Sequence, residues 1–257
     1  MHKDIKMVVT DLDSTLLRGD KTISAYTVDI LRRLRDMGVK LVFATARPRR
    51  TVVQFLGDFA TDALIVHNGA VVYVGDKVHS HHGIASDVKS QILQTISLDY
   101  PAVTLSVEIE DLNYSNFDMK LVWAYDDGVM CDFADLPNKP ADKITIGVSC
   151  HEDIAKFSSY LPDDLYIQMC DGRLGLVMHK NATKWAAIQD VAAYFGIATT
   201  QAVAFGDDYN DITMLKGCGV GVAVANALDE VKAAANYICA SNEDDGVAKW
   251  LDSNLLR

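Results

Sequence analysis

No apolar run in this chain reaches the about 18–20 residues that a membrane-spanning helix needs, so no membrane partner is expected. The opening MHKDIKMVVTD carries no signal-peptide h-region, because Asp11 interrupts its apolar run at once. Cysteine is sparse: Cys131, Cys150, Cys170, Cys218 and Cys239 are odd in number and widely spaced. That argues against a disulfide framework and against a CxxC zinc site, and fits buried, inert thiols in a reducing cytoplasm. Basic charge is also short, with 24 Lys and Arg against 35 Asp and Glu, a net charge of −11 and no long basic block. Nucleic acid is therefore not an expected partner, since phosphate neutralisation needs clustered cations. An acidic chain can still bind a small phosphate where a few placed donors outweigh the global field. Internal repeats and low-complexity linkers are absent as well.

What remains is the composition of a soluble globular protein: 257 residues, 49% hydrophobic and 23% charged, enough for one large domain or two modest ones. IKMVVTD and VKLVFATA are short, β-branched and apolar, and read as buried strands. Between them SAYTVDILRRLRDMG opens on Ser24 as N-cap, places Val28, Leu31 and Leu34 at helical spacing, and stops at Gly38. A segment RRTVVQFLGDF leads to a strand ALIVHNGA and a hairpin-like VVYVGDKVHS. The last third alternates again: helix TKWAAIQDVAAYFG, strand AVAFGDD, helix NDITMLKG, strand VGVAVA, helix ALDEVKAAAN. Such βα alternation predicts a doubly wound, parallel, Rossmann-like α/β sheet.

The middle of the chain differs. A helix SDVKSQILQTISLDY is followed by VTLSVEIED, KLVWAYDDG, KITIGVSC, LYIQMCDG and RLGLVMHK, strands separated by polar turns, with one more helix at EDIAKFSSYL. This pattern predicts an antiparallel α+β insert. Two domains are expected: a core from residues 1–83 and 182–257, and an inserted cap from residues 84–181. HSHH, His79 to His82, has the look of a metal tract, but an extended chain would splay the rings, and a junction between domains is the expectation.

Three strand ends carry chemistry. TDLD closes the first strand with Asp11 and Asp13, ATARP closes the second with Thr45 and Arg47, and AFGDDYND brings Asp207, Asp208 and Asp211 to a third. A lone DxD is commonly a solvated turn. Ligands of an open α/β sheet, however, bind at the carboxyl ends of its strands, so all five carboxylates converge on one edge. Uncompensated they would repel, and a bound cation is the economical explanation. An all-oxygen, water-accessible carboxylate site is what Mg²⁺ uses when it also meets a phosphate. There a carboxylate can serve as nucleophile, forming an aspartyl-phosphate, and its neighbour can move the proton. Lys184, opening the helix TKWAAI, supplies a cation for phosphoryl oxygens.

DLDSTLL, ATARP, TKWAAI and GDDYNDITML, in this order, resemble the four motifs of the haloacid dehalogenase superfamily. The insert after the second motif and the tail, where NA is followed by a helix and then DGVA, resemble its Cof-type phosphatases with a C2 cap. The resemblance implies that Asp11 is the nucleophile and Asp13 the general acid/base, with Thr45 and Lys184 completing the catalytic set. It implies metal ligation by Asp11, by Asp13 through its carbonyl and by Asp207, with Asp208 and Asp211 supporting the metal. Leu12, Thr45, Ala46, Arg47, Lys184 and Asn210 stand at its phosphate and substrate positions. Ser14 replaces a usual glycine, Ala46 replaces another, and Trp185 follows the lysine where a small residue is common; helix packing and pocket lining are both open for Trp185. Arg47, with Arg49 and Arg50, forms a local basic cluster that is either a solvated helix start or an attractor of anions.

The expectation is a cytoplasmic, Mg²⁺-dependent phosphatase of a small phosphorylated metabolite, a sugar phosphate foremost. A phosphomutase would need the same core, and a non-catalytic phosphate or metal sensor is the third reading. Monomer and homodimer are both open.

Overall fold

The computed structural model describes residues 4–56, 59, 61–121, 128–170 and 172–256. The chain separates into two compact units, Met1–Ser80 with Thr183–Arg257, and His81–Ala182.

The first unit begins with strand β1 (Met7–Thr10), helix α1 (Ala25–Asp36), β2 (Lys40–Ala44), α2 (Arg49–Leu56), β3 (Ala63–Val66), β4 (Val71–Val74) and β5 (Lys77–His81). The second unit runs through α3 (Ser86–Asp99), β6 (Leu105–Ile109), β7 (Leu112–Ser115), β8 (Val129–Met130), β9 (Lys143–Gly147), α4 (His151–Ser158), β10 (Leu165–Cys170) and β11 (Leu174–His179). The chain then returns to the first unit as α5 (Lys184–Phe195), β12 (Ala202–Gly206), α6 (Ile212–Gly217), β13 (Val220–Ala223), α7 (Asp229–Ala234), β14 (Tyr237–Ile238) and α8 (Gly246–Leu255).

The first sheet has the order β14-β13-β12-β1-β2-β3-β4-β5. Pairing is parallel from β14 to β3, and β4 turns antiparallel against β3. All four residues of β1 are buried, as a strand covered on both faces must be. On α1 the Ser24 hydroxyl accepts the Thr27 amide at 3.0 Å. Its buried stripe is Thr27, Ile30, Leu31 and Leu34, one step round from the expected one, and Val28 is only half-buried. Gly38, at φ +86°, ends the turn that follows.

The second unit pairs its strands β10-β11-β9-β6-β7-β8. These pairs are antiparallel except β7 with β8. Leu105, Val107 and Ile109 of β6 and Ile144 and Ile146 of β9 pack with Ile92, Leu93 and Ile96 of α3 and Phe157 of α4. The period of two puts Ser106, Glu108 and Thr145 on the opposite face, where they too are buried. Of the strand expected over KLVWAYDDG, residues 122–127 lie outside the described residues, and Met119–Leu121 is a 3-10 turn. Among the described residues no helix is long and apolar enough to cross a membrane.

Candidate active site

Three parallel strands that end level assemble the site. Thr10 of β1 stands opposite Phe43 of β2 on one side and Phe205 of β12 on the other. Asp11 follows one residue later, and Thr45 and Asp207 lie two residues past their partners, so residues far apart in sequence meet at one sheet edge. Thr183 caps α5 by accepting the Ala186 amide at 3.1 Å, which starts the helix at the buried Lys184. The Lys184 Nζ donates to Asp11 Oδ1 at 2.6 Å and to Asp211 Oδ1 at 2.7 Å. Asp211 Oδ2 in turn accepts the backbone amides of Asp207 (2.9 Å) and Asp208 (3.2 Å). This carboxylate folds back over the end of β12, where a Cβ on Gly206 would stand 2.5–2.6 Å from it.

Asp11, Asp207 and Asp211 offer carboxylate oxygens within 4.8 Å of one another. Three carboxylates around one ammonium leave a surplus of negative charge in a site shielded from water. Burial first, then the neighbouring Asp211 and Asp207, push Asp11 up to about 8 against the pull of Lys184. Burial likewise raises Asp207 to about 6, although its Oδ1 accepts the Thr15 hydroxyl at 2.6 Å. The same surplus raises Lys184 despite its burial. A hard divalent cation relieves this crowding, and the all-oxygen donor set fits Mg²⁺. Among the described residues Asp11 Oδ2 has no hydrogen-bond donor, which leaves one oxygen of that carboxylate available for bond formation.

Two features of the site go beyond the sequence reading. The Asp13 side chain is not free: Arg47 grips it with Nε to Oδ2 at 2.5 Å and Nη2 to Oδ1 at 2.8 Å, and Lys21 Nζ adds a bond to Oδ1 at 2.7 Å. Burial alone would raise this carboxyl, but the Arg47 and Lys21 bonds outweigh it and hold Asp13 below its ordinary value. Arg47 is thus engaged by Asp13, with its guanidinium also 4.8 Å over the Phe55 ring, rather than standing free for an anion. The supporting pair also divides. Asp211 belongs to the carboxylate cluster itself, whereas Asp208 is exposed and accepts the Tyr209 amide at 2.7 Å.

The remaining positions fall as follows. Leu12 buries its side chain completely, so only its backbone can face a ligand. Thr45 is buried, its hydroxyl oxygen accepting the Arg47 amide at 3.1 Å, and Ala46 is exposed beside it. Asn210 donates through Nδ2 to Asn68 Oδ1 at 3.0 Å. Ser14 adopts φ +57°, a left-handed conformation that explains why glycine suits this position. The Trp185 ring lies against Gly217 at the end of α6, which assigns it to helix packing. Arg49 pairs with Asp76 at 2.7 Å and covers Tyr73, dispersing the basic cluster. In HSHH, His79 meets the Tyr194 ring edge-on at 4.8 Å and His81 Nε2 lies 2.8 Å from Asp142 Oδ1. Among the described residues neither belongs to a cluster of three metal-ligating groups.

Sequence reasoning passed over Thr15, Lys21 and Asn68. Thr15 had a visible signal, a hydroxyl within the first motif. Lys21 and Asn68 had none, because each reaches the site through a left-handed backbone, φ +64° and +59°.

The haloacid dehalogenase-like hydrolase family matches residues 8–251. The chain is 32% identical over 261 residues to the 5-amino-6-(5-phospho-D-ribitylamino)uracil phosphatase YitU of Bacillus subtilis, covering 95% of this chain and 96% of that one. It is 26% identical over 289 residues to the pyridoxal phosphate phosphatase YbhA of Escherichia coli, with 98% and 99% covered. A solved structure from Eubacterium rectale superposes with a TM-score of 0.90 at 23% identity, covering 98% of this chain and all of the other, a likeness of fold. With four motifs in order, a parallel sheet whose level strand ends gather them, and a family match over nearly its whole length, the chain belongs to the haloacid dehalogenase-like hydrolases, among their Cof-type phosphatases.

Proposed function

We propose that this phosphatase hydrolyses the phosphomonoester of a small polyhydroxylated metabolite, a sugar phosphate or a close relative, in the cytoplasm, with Mg²⁺ as cofactor. The observation that carries the reading is the Asp11 carboxylate, fixed through Oδ1 by Lys184 at 2.6 Å while Oδ2 has no hydrogen-bond donor among the described residues. Asp11 and Asp207, with the Asp13 carbonyl, would hold the ion, and Asp211, its oxygens engaged by Lys184 and two backbone amides, would support it from beside the cluster; the ion would neutralise phosphoryl charge and keep Asp11 ionised.

Asp11 Oδ2 attacks phosphorus, the P–O ester bond breaks, and the departing alkoxide takes a proton from Asp13. Water then splits the aspartyl-phosphate with Asp13 accepting its proton, returning Asp11 and inorganic phosphate. Lys184 holds Asp11 in line and Thr45 lines the phosphoryl position. Arg47 and Lys21 hold Asp13 ionised in the free site; a phosphate anion that shares these cations lets Asp13 take up from solvent the proton it delivers, while the Arg47 fork keeps it in place. Residues 84–181 act as the substrate-selecting domain. The names of two relatives, a phosphoribityl compound and pyridoxal phosphate, are both of phosphorylated alcohols, whose leaving group is an alkoxide.

The test is phosphate release across sugar phosphates, nucleotides and cofactor phosphates, with Mg²⁺ and with chelator, for wild type and Asp11→Asn. Magnesium-dependent release from sugar phosphates that Asp11→Asn abolishes is the expected result. Full activity in chelator, or an active Asp11→Asn, overturns it.

A further inference from the structure

The connection after β3 is the most strained backbone near the site. His67, Asn68 and Gly69 follow one another at φ +49°, +59° and +106°. Only glycine takes such values freely, and asparagine tolerates them better than most residues, so a run of three persists only where its surroundings enforce it. Here the enforcement comes from three directions. The amides of His67 and Asn68 donate to the carbonyls of Arg47 (3.0 Å) and Thr45 (2.9 Å), which ties the turn to the end of β2. At Gly69 the backbone passes so close to Thr183 that a Cβ would stand 2.2 Å from its carbonyl oxygen, and Thr183 caps the helix that Lys184 begins. The Asn68 side chain, 6% exposed, accepts Asn210 Nδ2 at 3.0 Å. One left-handed turn thus touches the segments carrying Thr45, Lys184 and Asn210.

The asparagine pair has an unfinished valence. Asn210 Oδ1 is buried and has no hydrogen-bond partner among the described residues. A buried orphan acceptor is unfavourable, and a ligand or an ordered water at that point is one way a native structure satisfies it. Turning both amides over together preserves their mutual hydrogen bond and exchanges the orphan oxygen for an N–H. The pair can therefore offer a donor at that buried point, which is what a phosphoryl oxygen requires.

We propose that Asn68 is a positioning residue of the phosphoryl site: it sets which face of the Asn210 amide meets the substrate, and its turn holds the second, third and fourth motifs in register. This rests on the phosphatase reading above. Asn68→Gly separates side chain from backbone, because glycine keeps the left-handed φ and removes only the amide. With p-nitrophenyl phosphate as substrate, Asn68→Gly is expected to lose about tenfold to a hundredfold in kcat/KM, the loss of an oriented donor to a charged oxygen. Asn210→Ala should lose as much, and the double variant no more than either, while the melting temperature of Asn68→Gly stays near wild type. Orthovanadate binding by calorimetry, which needs no turnover, should weaken in parallel. A wild type that binds vanadate without turnover removes the phosphatase reading and leaves this one to the binding comparison. Asn68→Gly binding vanadate like wild type, or losses that multiply in the double variant, overturns the proposal.

Discussion

Arg47 holds Asp13 by both carboxylate oxygens, through Nε at 2.5 Å and Nη2 at 2.8 Å. A planar fork suits this geometry and a point charge does not. Arg47→Lys should therefore leave the fold intact but let Asp13 drift, lowering kcat/KM on a sugar phosphate by about tenfold or more, since placement of a general acid contributes ~10²–10⁴-fold. Wild-type kinetics in Arg47→Lys would show that the fork does not position Asp13.

The role of Asp13 itself has a sharper readout. An alkoxide leaving group needs a proton, whereas p-nitrophenolate leaves unaided. Asp13→Ala should slow the phosphoryl-transfer step for a sugar phosphate far more than for p-nitrophenyl phosphate, measured before steady state because Asp13 also serves later as base. Equal losses on both substrates would remove the general-acid role.

Ser14 sits at φ +57°, and its carbonyl accepts Asn226 Nδ2 at 2.7 Å. That bond is to the backbone and survives side-chain changes. Left-handed backbone costs an L-residue roughly 1–2 kcal/mol, offset for glycine by roughly 0.5–1 kcal/mol of extra unfolded-state entropy. Ser14→Gly should raise stability by up to about 1 kcal/mol in urea denaturation, and Ser14→Val should lower it. A Ser14→Gly protein markedly less stable than wild type would mean that the serine side chain has a role the backbone argument misses.

Much of this site was legible because its residues stand at strand ends. Apolar runs mark β1, β2 and β12, and parallel pairing forces whatever follows them to one edge, so the sequence itself groups Asp11, Thr45 and Asp207. Lys184 was legible from its motif, and the helix cap at Thr183 agrees with it. The partners were not legible. Nothing in a string of letters says that Arg47 faces inward to Asp13, or that Asp211 folds back over Gly206 while Asp208 faces solvent. Left-handed positions hide further contacts, since Lys21 and Asn68 reach the site by backbone turns that residue type permits but does not announce. On α1 the stripe shifted from Val28 to Ile30 because both are apolar, and packing alone chose between them.

The last prediction follows from the crowding of carboxylates. Asp207 is raised from 3.8 to about 6 and Asp11 from 3.8 to about 8, both chiefly by burial. A carboxyl whose pKa is higher folded than unfolded binds its proton more tightly in the native state, so the native state gains from that proton. The contribution is fully present below the unfolded value and is lost as pH rises through the folded one. Metal-free protein in chelator should therefore lose stability from about pH 5 to about pH 8, the window in which Asp207 and then Asp11 ionise beside Asp211. Asp13, held below its ordinary value, titrates on the acid side of this window and does not reverse the trend. Mg²⁺ competes with these protons for the same oxygens, so its stabilising effect should be small at pH 5 and large at pH 8. Thermal melts at the two pH values, each with chelator and with Mg²⁺, supply the four numbers. Asp207→Asn, which removes one crowded charge, should flatten the metal-free trend and shrink the Mg²⁺ gain together. A metal-free melting temperature that climbs between pH 5 and 8, or a Mg²⁺ gain equal at both, would show that these carboxylates are not strained against one another and that the cation binds elsewhere.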